Sequence, residues 1–253
     1  MVETTSPELV RELITKGSRL EGRSPLEYRK IEIKANRLKK AEGSCELSLG
    51  DTKVIAGVKF DTMTPYPDSP DKGGLMVNIS YIPIVFKELS QNKDIEASRV
   101  VDRSIRESKA LALEDFCITP GEKAFTIFID AYILNYDGNL IDAINLAALK
   151  ALMSAKMPVL DEKGKAAQSD KPLKLNSVPI MVTVSSIDGE FIADLSSAEE
   201  HALDYSLCLS YLEDGRICAM QKQGSMGIPR EDLEKIFEIG AKKQAELRKA
   251  LEQ

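Results

Sequence analysis

A turn between a predicted strand and a predicted helix has the position of a phosphate site but lacks the residue types for one. The turn, residues 136–142, follows an apolar, strand-like run and opens a helical run that starts at Asp142. The first N–H groups of a helix have no partner inside the helix, so such a turn can hold an anion. An enzyme that used phosphate would be expected to add a cation and a hydroxyl here. Asn139, Leu140 and Ile141 stand there instead, and Asp142 has the wrong charge for phosphate.

Three arginines form a second group of residues that could bind a ligand. Arg99, Arg103 and Arg106 lie at i, i+4 and i+7 of a helix predicted over residues 96–113, so they share one face. The opposite face, which we expect to pack on a sheet, carries Ala97, Val101, Ile105 and Ala112. A row of outward-facing guanidinium groups can bind the phosphates of a nucleic acid.

Spacing alone leaves a second interpretation of these arginines open. Arg106 can pair with Asp102 inside the helix, and Arg103 can pair with Glu107. Such pairs stabilise a helix by only a few tenths of a kcal/mol and need no ligand. Lys93 precedes the helix and is a weaker candidate for the same row, since a lysine in a polar loop is usually solvated.

The overall charge argues against a generic nucleic-acid-coating protein. The 253 residues carry a net charge of −6, with 43% hydrophobic and 29% charged residues, as in ordinary globular domains. Charge is uneven, however, because residues 19–40 hold eight basic and three acidic side chains. A local positive field can attract a polyanion even when the total charge is negative. For Arg19, Arg23 and Arg29, roles in a protein interface and in binding a polyanion both stay open.

The sequence gives little indication of a metal site or of a membrane-spanning segment. The four cysteines are scattered, and the only histidine, His201, stands beside two acids, where a surface ion pair is the simpler interpretation. We therefore expect no metal site and no cofactor. No apolar run approaches the ~20 residues that span a bilayer, and the first residues are too polar for a signal peptide. We expect a cytoplasmic protein with no membrane partner.

The order of the elements predicts the fold class. Strands precede helices twice along the chain, which is typical of an α+β fold whose helices pack on one face of a mixed sheet. The chain divides into four parts: an N-terminal helix and basic turn (1–28), a first sub-domain (29–158), a connection (159–176) and a second sub-domain (177–253). Residues 43–60 predict an antiparallel hairpin inside the first sub-domain.

Several short motifs, taken in order, resemble the RNase PH family, which includes bacterial RNase PH, polynucleotide phosphorylase and the ring subunits of exosomes. Each motif is weak alone, but their order and spacing together are specific. The resemblance runs from about residue 20 to the C-terminus and implies an RNase PH-like fold. The motifs are Leu20–Arg23, Glu42–Ala56, Arg99–Arg106, Asp137–Asn139 and Glu213–Arg216.

The departures from the family pattern indicate a pseudo-enzyme. Active members carry out phosphorolysis, in which inorganic phosphate attacks the 3′-terminal linkage of RNA and releases nucleoside diphosphates. The resemblance implies an anion site at a Gly-Thr-Arg turn and an arginine just before the central helix. This chain has Gly138, Asn139 and Leu140 at the turn, and Lys93 near the position of the arginine. Lysine cannot bind phosphate through two parallel hydrogen bonds as arginine can.

Glu199-Glu200 and Met220-Gln221-Lys222 make the chain resemble the non-catalytic RNase PH-type subunit of the archaeal exosome. The resemblance implies a catalytic RNase PH-type partner, with three such pairs in a hexameric ring, as well as RNA-binding cap proteins and single-stranded RNA. The expected function is to bind RNA and to complete the partner's active site. The residues expected to bind RNA are Arg99, Arg103, Arg106 and Lys93.

Two alternatives of other classes stay open at this point. The first is an active phosphorolytic 3′–5′ exoribonuclease with an unorthodox site. The residues of that site would be Lys93, Glu199, Glu200 and Asp204. The second is a stand-alone RNA-binding protein that forms no ring.

Overall fold

The structure is a computed structural model that describes residues 6–82 and 93–252. Within these two ranges, no helix is both long enough and apolar enough to cross a bilayer.

The described residues form twelve strands and five α-helices. The strands are β1 (Ile31–Ala35), β2 (Gly43–Leu49), β3 (Thr52–Met63), β4 (Gly74–Tyr81), β5 (Cys117–Thr119), β6 (Lys123–Asn135), β7 (Lys156–Leu160), β8 (Ala166–Pro172), β9 (Ile180–Ile187), β10 (Glu190–Ala193), β11 (Tyr205–Tyr211) and β12 (Ile217–Gln223). The helices are α1 (Pro7–Thr15), α2 (Lys93–Glu107), α3 (Leu140–Met153), α4 (Ser197–Glu200) and α5 (Arg230–Glu252).

The strands form two larger sheets and one hairpin. The first sheet has the order β1-β2-β3-β6-β4, with β5 paired to β6, and the second has the order β10-β9-β11-β12. β4 runs parallel to β6, whereas β2 and β3 form the predicted antiparallel hairpin. The predicted α+β class with a mixed sheet is therefore confirmed.

α3 is the central element of the core. Twelve of its 14 residues are buried, and it packs on β2 and β3 of the first sheet and on β9 of the second. A helix that is apolar on all sides is stable only when it is covered on all sides. α3 therefore lies between the two sheets, a placement that the sequence pattern alone did not predict.

Two polar residues of α3 hold the part of β9 that β10 does not cover. The side chain of Asn145 accepts a hydrogen bond from the N–H of Met181 (3.0 Å), and Asp142 accepts from the N–H of Thr183 (3.1 Å). The Thr183 hydroxyl and the Tyr28 hydroxyl, both at 2.8 Å, also donate to Asp142. Asp142 is fully buried, and burial raises its pKa to about 6.

Two segments differ from the predicted elements. The connection predicted at residues 159–176 contains most of the β7–β8 hairpin, because residues 161–165 form a turn in which the Asp161 carboxylate accepts two backbone N–H groups. The helix predicted over residues 96–113 starts earlier and ends at Glu107. Lys109 has a left-handed φ of 52°, which a continuing helix does not allow, and a 3₁₀ turn follows at Leu113–Phe116.

Asp142→Asn is expected to change the pH dependence of stability. A folded-state pKa of about 6, against an ordinary value of 3.8, means that the folded chain binds the extra proton between about pH 4 and 6. The contribution of Asp142 to the free energy of unfolding therefore falls as the pH rises through this window. Urea titrations measure the free energy of unfolding of both proteins. Between pH 4 and pH 7 the value for the variant should rise relative to that of the wild type by on the order of 3 kcal/mol. A stability difference that stays constant with pH would contradict this.

Candidate functional site

The turn before α3 is pressed against the second half of the chain. Gly138 has a φ of 79°, and a Cβ at this position would collide with the backbone oxygen of Leu195. Asn139, the N-cap residue of α3, is also left-handed, with a φ of 49°. The Thr52 hydroxyl donates to the Gly138 carbonyl (2.7 Å) and so fixes the turn from the first sheet.

A protein carboxylate occupies the place at the start of α3 where an anion would bind. The N–H of Asn139 donates to Oε1 of Glu200 (3.0 Å), and the Tyr136 hydroxyl donates to the same carboxylate. Burial and the nearby Glu200 raise the pKa of Tyr136, so its hydroxyl keeps the donated proton. The positive end of the helix dipole is therefore satisfied from within the chain, and a phosphate would meet a negative charge there.

Asp194 is the centre of a buried ion-pair cluster next to this turn. Arg29 binds it with both arms of its guanidinium group, from Nε (2.9 Å) and Nη2 (2.8 Å), and its backbone N–H adds a third hydrogen bond (2.7 Å). Arg23 (3.2 Å) and the Asn139 side chain (2.9 Å) also donate to Asp194. Burial lowers the pKa of Arg29, but the bonds to Asp194 outweigh this effect and the pKa is raised. The cluster thus ties the start of β1, the turn before α3 and the end of β10 together.

A second buried pair joins Arg19 to Glu199. The side chains are 1% and 2% exposed, and Nε of Arg19 lies 2.8 Å from Oε1 of Glu199. Arg19 also donates to the carbonyls of Ala193 (3.0 Å) and Asp194 (2.7 Å). Burial raises the pKa of Glu199, but its bonds with Arg19 outweigh this and the pKa is lowered. Arg19, Arg23 and Arg29 therefore point into the chain and satisfy its own acids.

The acids of the alternative catalytic site serve separate structural contacts. Glu199 binds Arg19, Glu200 binds the turn before α3, and Asp204 binds Arg11 (2.7 Å) and the N–H of Asp188 (2.7 Å). Among the described residues, no group of three His, Cys, Asp or Glu side chains could hold a metal ion.

The three arginines of α2 lie on its exposed face, opposite the buried Val101 and Ile105. Arg106 forms the predicted pair with Asp102 (2.9 Å) and also donates to the Leu75 carbonyl (3.1 Å). Its charge is therefore partly neutralised by its own helix.

Arg99 and Arg103 remain available to a ligand. Arg103 donates to Oε1 of Gln221 on β12 (3.2 Å) and does not form the predicted pair with Glu107 in the described structure. Arg99 has no hydrogen bond or ion pair within the described residues. The side chain of Lys93, the fourth predicted RNA-binding residue, lies outside the described part of the chain.

Arg99 and Arg103 border a surface groove that consists of two adjoining hollows. One hollow, of about 370 Å³, lies on the side of Asp102 and Arg106. The other, of about 550 Å³, is completed by Gln221 of β12 and by residues of α2. Because β12 belongs to the second half, sequence reasoning missed Gln221 as a groove residue. Its only signal was the Met220–Lys222 motif.

Comparison with known proteins agrees with this architecture. Residues 27–158 match domain 1 of the 3′ exoribonuclease family, and residues 177–243 match domain 2. The chain is 39% identical over 237 residues to the exosome complex component Rrp42 of Sulfurisphaera tokodaii, covering 89% of this chain and 86% of the relative. It is 36% identical over 252 residues to Rrp42 of Methanosarcina acetivorans, covering 98% and 94%.

Solved structures show the same relationship. A chain of the Archaeoglobus fulgidus exosome with RNA bound to the active site superposes with a TM-score of 0.90 at 34% identity, with 96% of each chain covered. A chain of an archaeal exosome core gives a TM-score of 0.88 at 34% identity, covering 98% of this chain and 96% of the other. The chain therefore belongs to the 3′ exoribonuclease family, with the RNase PH fold. Within the family it is similar to the archaeal exosome components named Rrp42, over nearly the full length of both chains.

Removal of Arg29 should destabilise the protein strongly. Arg29→Ala leaves the buried Asp194 carboxylate without its two-armed partner, and the expected loss in the free energy of unfolding is about 3 kcal/mol or more. Arg37→Ala is the matched control, because Arg37 pairs with Glu46 at the surface and should cost less than about 1 kcal/mol. Guanidinium titrations of both variants measure the difference. Equal, small losses would show that the buried cluster does not stabilise the junction.

Proposed function

We propose that this chain is a non-catalytic, RNA-binding subunit of an archaeal exosome that degrades RNA phosphorolytically in the 3′–5′ direction. It pairs with a catalytic RNase PH-type subunit, and three such pairs form a hexameric ring in the cytoplasm with RNA-binding cap proteins. Its own contribution is the arginine face of α2, which holds RNA phosphates and completes the active site of the partner.

The Glu200 carboxylate at the start of α3 is the observation that carries this proposal. From the family resemblance, an active member would bind the attacking phosphate at this turn through an arginine. Here Leu140 and Ile141 follow the turn, and Glu200 accepts the N–H of Asn139. Phosphorolysis depends on positive groups that stabilise the negative charge of the transition state. A carboxylate in that place acts in the opposite direction, which favours a supporting subunit over an active enzyme.

The arginine face supports the RNA-binding part of the proposal. Two of its guanidinium groups, those of Arg99 and Arg103, are exposed and have no carboxylate partner among the described residues. The relatives named Rrp42 are exosome components, and the similar Archaeoglobus fulgidus chain comes from an exosome with RNA in its active site. Exposed apolar side chains on the outer face of the first sheet, Met76 and Tyr132, are consistent with a chain that buries surface in an assembly.

The purified chain alone is expected to release no nucleoside diphosphates from single-stranded RNA in the presence of magnesium and inorganic phosphate. Nucleoside diphosphates should appear when a catalytic RNase PH-type exosome subunit is added, at a rate above that of the partner alone. Chromatography of the nucleotides measures both. Diphosphates from the isolated chain would overturn the non-catalytic assignment. An addition that leaves the partner's rate unchanged would overturn the proposal that the chain completes its active site.

Charge reversal of Arg99 and Arg103 should weaken RNA binding by the assembled ring. The variant Arg99→Glu/Arg103→Glu should bind single-stranded RNA about tenfold or more weakly at low salt. The plot of log K against log salt should lose about 1.4 in slope if each arginine contacts one phosphate. Fluorescence anisotropy over a salt series measures both quantities.

Lys242→Glu/Lys249→Glu is the matched control for this variant. Both lysines are exposed on α5, away from the groove, and the double variant changes the net charge by the same amount. A general loss of positive charge would weaken both variants alike. An equal effect of the two, or normal binding and degradation of RNA by the assembled Arg99/Arg103 variant, would contradict the proposed role.

A further inference from the structure

The larger hollow beside Arg99 and Arg103 contains an acceptor as well as the two cations. Besides the two arginines, its described lining consists of four residues: Glu96 with its carboxylate, Gln221 with its amide, and the apolar Val100 and Ile95. Glu96 is exposed and lies on the same helix as Arg99 and Arg103. A groove for phosphate alone would not need a carboxylate, which lowers the local positive potential.

Gln221 connects the acceptor to the cation. Its Oε1 accepts from Arg103 (3.2 Å), and its Nε2 lies 3.4 Å from Oε1 of Glu96. The amide therefore holds a phosphate-binding guanidinium group and a carboxylate on the same side of the groove. The second oxygen of Glu96 and the remaining lone pairs of the first are left to accept from a ligand, because an ionised carboxylate has about four acceptor positions.

We infer that Glu96 accepts a hydrogen bond from a ribose 2′-hydroxyl of the RNA whose phosphates Arg99 and Arg103 bind. This inference rests on the proposed RNA-binding function and adds to it a selectivity for RNA over DNA. Arginines that contact phosphates cannot distinguish RNA from DNA, since both have the same backbone charge. The 2′-hydroxyl is the group that differs, and it lies next to the phosphates along the chain. An acceptor beside two phosphate-binding arginines is placed to read it.

A ribose hydroxyl fits this arrangement better than a base does. The 2′-hydroxyl is present at every nucleotide, so a single carboxylate can accept from it whatever the sequence. Base recognition requires a donor and acceptor pattern along a base edge. Here the Gln221 amide is already engaged with Arg103 and Glu96, which leaves Glu96 as a lone acceptor. The smaller hollow has two carboxylates, those of Asp102 and Glu107. Asp102 is held by Arg106, and among the described residues no amide connects Glu107 to an arginine as Gln221 connects Glu96 to Arg103.

The test compares the affinities for RNA and for DNA of the same sequence. A change in the charge of the protein affects both affinities alike and cancels in their ratio. The probes are oligo(A), oligo(C) and oligo(U) of equal length, each as RNA and as DNA, with thymidine in place of uridine in the DNA. Fluorescence anisotropy measures their binding to the ring assembled from this chain and its catalytic RNase PH-type partner, without phosphate. The wild type should prefer RNA by about fivefold for each ribose contacted. Glu96→Ala should bring this preference towards one, whereas Glu96→Gln, which keeps an acceptor oxygen, should retain part of it.

Glu238→Ala is the matched control, because Glu238 is exposed on α5 and belongs to the described lining of neither hollow. It removes the same charge and should leave the RNA preference unchanged. Equal RNA preference in the wild type and Glu96→Ala, or an equal loss of preference in Glu238→Ala, would overturn the inference while leaving RNA binding intact. If Glu96→Ala instead lost affinity for oligo(A) and oligo(C) equally as RNA and as DNA, Glu96 would read base amino groups and the inference would be wrong. A wild-type ring that binds neither polymer would refute the proposed RNA-binding function as well.

Discussion

The architecture depends on one buried carboxylate, that of Asp194. Its side chain has no access to solvent and its backbone is left-handed, with a φ of 53°. An ionised group in such a place is stable only when it is surrounded by donors. Arg23 and Arg29, from the segment before β1, and Asn139, from the turn before α3, supply them. The need to satisfy one charge therefore fixes how the N-terminal segment, the turn before α3 and the second half fit together.

The same inward use of charge extends to the turn before α3. With Asp194 and Glu199 paired to arginines, the neighbouring Glu200 comes to lie at the start of α3, where it accepts the N–H of Asn139. A backbone donor at this turn thus stabilises the junction between the two halves, while the fold around the contact is that of the family.

In the groove beside α2, arginines are exposed to solvent instead of being buried against acids. α2 packs on β4 of the first sheet and on β12 of the second, so a surface formed there contains residues from both halves. Arg106 is held by Asp102, but Arg99 and Arg103 face outwards. An exposed guanidinium group loses little hydration in the free chain and keeps its charge for a ligand. Burial thus separates the arginines that satisfy the chain's own acids from Arg99 and Arg103, which stay exposed to solvent.

The sequence by itself determined most of the local elements, the apolar and basic faces of α2 and the missing cation after Gly138. These features follow from periodicity and residue type, which act over a few positions. Only the tertiary structure decided that Arg19 and Arg29 point inwards, that Glu200 reaches Asn139, and that Gln221 joins Arg103. The partners in these pairs lie 180, 165, 61 and 118 positions apart along the chain. Local pattern carries no information about such distances, because they are set by how the two sheets close around α3.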